Sequence, residues 1–150
     1  MRIMNTLENG LYGVFKGGTL KKYAEIKDSE IKDTEFIVVK KDHTAVAIDR
    51  EDERGYYSEE WAVKPGGYRL PTRKEIIDIM DLFYRDKLKE FMIKAGYEPF
   101  DASAIYTCEE YPNSKGEDQW AYVVATDALM PYYKKIAGRL LYVRPFEGVK

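Results

Sequence analysis

Apolar residues change their spacing twice along the chain, and the changes divide it into strands, then helices, then strands again. Leu11 to Leu20 reads as a short hairpin turning at Lys16-Gly17-Gly18, because paired glycines tolerate the positive φ of tight turns. Lys27 to Asp33 alternates in charge, has no apolar face and is expected to be a surface connection. Glu35–Val39 and Thr44–Ile48 are rich in β-branched residues and are predicted to pair antiparallel across Lys41-Asp42-His43. From Thr72 to Ala95 the spacing becomes helical. Ile76, Ile79, Met80 and Phe83 share one face, and Leu88, Phe91, Met92 and Ala95 share another, offset by one residue. That offset predicts two abutting helices or one bent helix, with the break at Tyr84-Arg85-Asp86 and a stop at Gly96. Beyond Pro99 three further strands are predicted: Ala104–Cys108, Gln119–Ala125 and Gly138–Phe146. Trp120, Tyr122 and Val124 fall on one face of the second, and Pro145 marks an edge or end of the third. The spacing leaves Ala128 to Ile136 ambiguous.

The helical region has a well-defined start. Pro71 disfavours helical geometry at Leu70, Thr72 can cap the helix, and Glu75 three residues later completes a capping box. Before it, Asp49 to Gly67 has no period. Its carboxylates, Asp49, Glu51, Asp52, Glu53, Glu59 and Glu60, read as a solvated run, since the spacing of a calcium loop is missing. Trp61 is expected to anchor this loop on the core. Strands and helices in separate blocks predict an α+β fold with a mainly antiparallel sheet and two helices between N- and C-terminal strands.

Composition narrows the function classes. With 150 residues, 45% hydrophobic and 33% charged, the chain has the make-up of one folded domain, residues 1–150. A net charge of -2 gives no global attraction to nucleic acid or anionic membrane. No segment has the length of a membrane span or signal peptide, which points to a cytoplasmic or virion-associated protein. One cysteine, Cys108, allows no intrachain disulfide and reads as a small buried hydrophobe. The lone His43 sits in a polar turn and reads as surface. No phosphate-binding glycine loop, nucleophile–histidine pair or metal spacing is present, so neither a cofactor nor a metal is expected. Glu109 and Glu110 are adjacent in a strand and point to opposite faces, which makes them a poor acid–base pair. Thirteen tyrosines raise the aromatic share to 14%, a composition shared by binding surfaces and by tyrosine-rich cores.

Several pieces of the sequence, in order, resemble a known family. Tyr68-Arg69-Leu70-Pro71-Thr72 ahead of a helix is similar to a W/Y-R-L-P-T-x-x-E signature. Ile105–Cys108, Trp120–Val123 and Tyr142–Phe146 resemble that family's later strands. This is the DUF1566 group, found in fibrobacter-type and phage-associated proteins, and the resemblance spans residues 61–146. It implies a C-type-lectin-like fold related to the formylglycine-generating (sulfatase-modifying) domains. One cysteine cannot supply the cysteine pair which that catalytic branch requires. The tyrosine inserted in Glu110-Tyr111-Pro112-Asn113 breaks the Glu-Pro-Asn motif of calcium-dependent sugar binding.

The expectation is a non-catalytic binding or display module of phage or mobile-element type, meeting a protein or carbohydrate ligand. Tyr111, Asn113, Trp120, Tyr132, Tyr133 and Lys134 are the candidate contacts, although core packing is the stronger reading for Trp120. Two alternatives stay open: a structural or assembly subunit of a virion or surface complex, as an oligomer, and a hydrolase using carboxylates such as Glu109 or Glu117.

Overall fold

A computed structural model of the chain describes residues 7–100, 104–112 and 115–146. Its strands, in chain order, are β1 (Gly10–Val14), β2 (Leu20–Lys22), β3 (Phe36–Lys41), β4 (Thr44–Ile48), β5 (Glu53–Gly55), β6 (Val63–Lys64) and β7 (Tyr68–Arg69). Helices α1 (Arg73–Arg85) and α2 (Leu88–Lys94) follow, and then β8 (Ala104–Glu110), β9 (Asp118–Val123), β10 (Ala128–Tyr133), β11 (Gly138–Leu140) and β12 (Val143–Pro145). The fold is mixed α+β with mostly antiparallel pairing. No helix among the described residues is long and apolar enough to cross a membrane.

The chain groups into two compact units. One comprises the chain up to Arg50, Asp78–Pro99 and the residues from Pro145 on; the other comprises Glu51–Ile77 and Phe100–Arg144.

In the first unit the strands run in the order β2-β1-β3-β4, all antiparallel. The predicted hairpins form where expected. Lys41 pairs with Thr44 across Asp42 and His43, with Asp42 at a φ of 54°. Residues of β1, β3 and β4 are buried on both faces of this sheet. Tyr12, Val14, Val38, Ala45, Ala47 and Phe146 form one cluster. The other face holds Ile37 and Ile48, where the Tyr97 hydroxyl accepts from Ile37 N–H (3.2 Å) and donates to the Ile48 carbonyl (3.0 Å). Phe91 of α2 stacks on Tyr23 with ring centroids 4.5 Å apart. The helix break falls at Asp86-Lys87, two residues past the start of the expected break and overlapping it at Asp86. Helix α2 ends at Gly96 (φ 83°), where Tyr97 N–H bonds the Met92 carbonyl and Gly96 N–H bonds that of Ile93.

The second unit is built on a five-stranded sheet ordered β10-β9-β8-β11-β5. Its pairs are antiparallel except β8 with β11, which is parallel at Ile105 and Arg139. Leu70, Ala104, Tyr106, Ala121, Leu140 and Tyr142 make its core cluster. Strand β10, ambiguous in sequence, forms one edge. Pro131 in that strand has no N–H to offer an incoming strand, which protects the edge from further pairing. The segment expected to be a single strand from Gly138 to Phe146 is split into β11 and β12. The capping box at the start of α1 is present, with Glu75 N–H donating to Thr72 Oγ1 (3.1 Å) and Thr72 N–H to Glu75 Oε1 (2.9 Å). Arg69 grips the same carboxylate through both terminal nitrogens, at 2.6 and 2.9 Å. Burial opposes ionisation of Glu75, but these hydrogen bonds outweigh it and hold the carboxyl below its ordinary range.

Candidate functional site

The candidate contacts read from the sequence do not converge on one surface. Trp120 pairs with Pro131 and Tyr132 with Gln119, so Trp120 and Tyr132 lie on opposite faces of the sheet. Tyr132 packs its ring on Tyr106 (5.7 Å), within the core cluster. Lys134 pairs with Glu110 (2.9 Å) and lies over the Tyr57 ring (5.3 Å). Tyr133 is more exposed, while its backbone carbonyl accepts from the Tyr106 hydroxyl (2.7 Å). Asn113 lies outside the described residues.

Tyr111 and Trp120 do meet, with ring centroids 5.0 Å apart. A bulge in β8 brings them together. Between Tyr106 and Glu110 the register with β9 shifts, and Cys108 N–H turns to the Pro71 carbonyl (2.9 Å). The Thr107 hydroxyl donates to the Trp120 carbonyl (2.8 Å), and the Gln119 amide donates to the Thr107 carbonyl (2.9 Å). Two side chains thus replace the missing ladder bonds. Arg73, at the start of α1, covers the Trp120 ring with its guanidinium 5.1 Å from the centroid. Glu109 accepts from the Arg73 backbone N–H (2.6 Å) and from its Nε (3.1 Å). Trp120 is therefore clasped by side chains of the same unit. Glu109 and Glu110, bonded to Arg73 and Lys134 respectively, have diverged as strand alternation expects. Cys108 is half-buried against the core cluster, and burial pushes its thiol up, which leaves it a poor nucleophile.

A different feature of this unit has the geometry of a binding site. Gly55 of β5 and Gly138 of β11 sit directly opposite each other. The Tyr106 ring covers Gly138, so that a Cβ there would lie 2.9 Å from Tyr106 Cε2 and 3.1 Å from the Ala104 carbonyl oxygen. A Cβ on Gly55 would meet nothing within 4 Å. The bare strand at Gly55 is part of a half-open cleft of about 240 Å³, lined by Glu53, Arg54, Gly55, Tyr56, Ser58, Trp61 and Leu140. Leu140 is a buried lining residue, and the aromatic ones stand out in solvent, Tyr56 being 65% and Trp61 52% exposed.

This corrects the expectation that Trp61 anchors its loop on the core. The anchoring is done by the Trp61 backbone. Its N–H donates to the Ser58 carbonyl (3.1 Å) and hydroxyl (3.3 Å), and its carbonyl accepts from the Tyr142 hydroxyl (2.7 Å). A fixed backbone therefore holds an exposed indole at the cleft. The buried Arg139 reinforces the neighbouring segment, bonding Asp52 and lying over the Phe100 ring (4.9 Å). Gly55 and Tyr56 went unnoticed in the sequence because an aperiodic segment gives no face. The bare strand that Gly55 gives the cleft faces Leu140 and its neighbours only once β5 and β11 are in register.

Among the described residues no group of three or more His, Cys, Asp or Glu side chains is placed to hold a metal ion. Comparison of the chain with protein-family models, with curated proteins and with solved structures gave no match.

Proposed function

We propose that the chain is a non-catalytic ligand-binding module whose ligand sits in the cleft bordered by Gly55, Tyr56 and Trp61. The supporting observation is the exposure of Trp61 on a backbone bonded at both its N–H and its carbonyl. An indole left half in water forgoes the gain of burial that so large an apolar side chain offers, unless a ligand supplies it. The aromatic pair around Trp120 is a weaker candidate, since Arg73 already occupies the ring face. The C-type-lectin-like fold and the kinship with the DUF1566 group belong to the same proposal. They rest on Tyr68–Thr72 preceding α1 and on the later strands at Trp120 and Val143, in an α+β order.

A fragment screen by ligand-observed NMR tests the placement, with Gly55→Val as the filled-cleft control. Fragments that bind the native chain and not the variant support the cleft. Fragments that bind both equally would remove it as the site.

A further inference from the structure

The cleft carries a charge preference as well as a shape. We propose that it takes an organic cation, an alkylated ammonium group held against the Trp61 and Tyr56 rings with Glu53 as its counter-ion; this rests on the cleft being the ligand site. The face of an aromatic ring is its negative pole, and indole attracts cations most strongly. Both rings are exposed, so their surfaces are available. The Glu53 side chain is exposed at the cleft, and its carboxylate has no hydrogen-bond or ion-pair partner among the described residues. Its neighbour Asp52, by contrast, is committed to Arg139.

The arginine bordering the cleft does not cancel this charge. Arg54 pairs with Arg139, whereas Glu53 pairs with Leu140 and Gly55 with Gly138. Alternation along β5 therefore starts the Arg54 side chain from the face opposite Glu53 and Gly55. The Ser58 hydroxyl oxygen already receives the Trp61 N–H. A carboxylate or phosphate in the cleft would meet Glu53 and the negative ring faces. A neutral group of the same shape would gain the contact area without the charge. An ammonium gains both.

Calorimetric titration of the full chain at constant ionic strength tests this. The probes are choline, Nα-acetyl-lysine-N-methylamide, the neutral isostere 3,3-dimethylbutan-1-ol, and the anion 3,3-dimethylbutanoate. At least one cation is expected to bind tenfold or more tighter than the alcohol, and the anion weakest. Stronger binding of choline identifies a quaternary headgroup; stronger binding of the lysine derivative identifies a protein side chain. Glu53→Gln should weaken the cations severalfold and leave the alcohol unchanged. Gly55→Val should remove all binding, with Trp61→Ala as the second variant should the first fail to fold. If the alcohol or the anion binds as tightly as the cations, and is lost in Gly55→Val, the cation assignment is overturned and the cleft stands. If no probe binds, or binding survives both cleft variants, both fall together.

Discussion

In the first unit several large aromatic side chains turn inward. Tyr12 joins the sheet cluster, Phe91 is fully buried beneath Tyr23, and Tyr97 spends its hydroxyl on two strands. Tyr84 and Ile93 are its exposed large apolar residues, and both are carried on helices. The second unit buries Tyr106 and Tyr142 in the same way, yet leaves Tyr56, Trp61, Val63, Ile77, Met130, Tyr133 and Ile136 in solvent. Both units thus build cores of similar chemistry, but the first exposes one large aromatic, Tyr84, and the second exposes three, Tyr56, Trp61 and Tyr133, among the described residues. Under the proposed function that difference assigns binding to the second unit and scaffolding to the first, because exposed aromatics on a fixed backbone are what a ligand can use.

Breaking the scaffold should produce the largest effect. Phe91→Ala removes a fully buried ring and is expected to cost about 3–5 kcal/mol, read from urea unfolding. Next comes the contrast between the paired glycines. Gly138→Val drives side-chain atoms into Tyr106 and should cost about 1–3 kcal/mol in the same assay.

A smaller effect is expected at the start of α1, where Glu75→Gln should cost about 1–2 kcal/mol by weakening the grip of Arg69. Its pH dependence has a definite sign. The folded carboxyl lies below its ordinary 4.5, so its contribution is complete above that value and is lost as pH falls through the lower folded one. Stability of Glu75→Gln should therefore fall less steeply than that of the native chain between pH 4.5 and the acid limit. An equal slope in both would remove the linkage.

The smallest effects sharpen the comparison most. Trp61→Ala and Gly55→Val should each change unfolding free energy by no more than about 0.5 kcal/mol, because neither touches the core. A loss several times larger in Trp61→Ala would make its ring a structural element after all.

The legible parts of the sequence were those with local causes. The helical stripes, their offset, Thr72 with Glu75, and the Asp42-His43 turn each depend on residues a few positions apart. What could not be read depends on pairing at a distance. The bulge of β8 becomes apparent only when Thr107 and Gln119 face each other, and it decides that Glu109 meets Arg73. Tyr132 and Trp120, twelve positions apart and both aromatic, separate to opposite faces through the register of β9 with β10. Trp61 misleads for another reason: average burial of tryptophan describes cores, and its exposure here follows from a turn whose backbone is tied by Ser58 and Tyr142.

The two tryptophans provide the most direct test of where binding occurs. In a ¹H–¹⁵N spectrum their indole signals can be assigned with Trp61→Phe and Trp120→Phe and followed while choline is added. A saturable shift of the Trp61 indole with the Trp120 indole unmoved is the predicted result. A shift confined to Trp120, or none at Trp61 while choline binds, would contradict the assignment of the second unit's cleft as the ligand site.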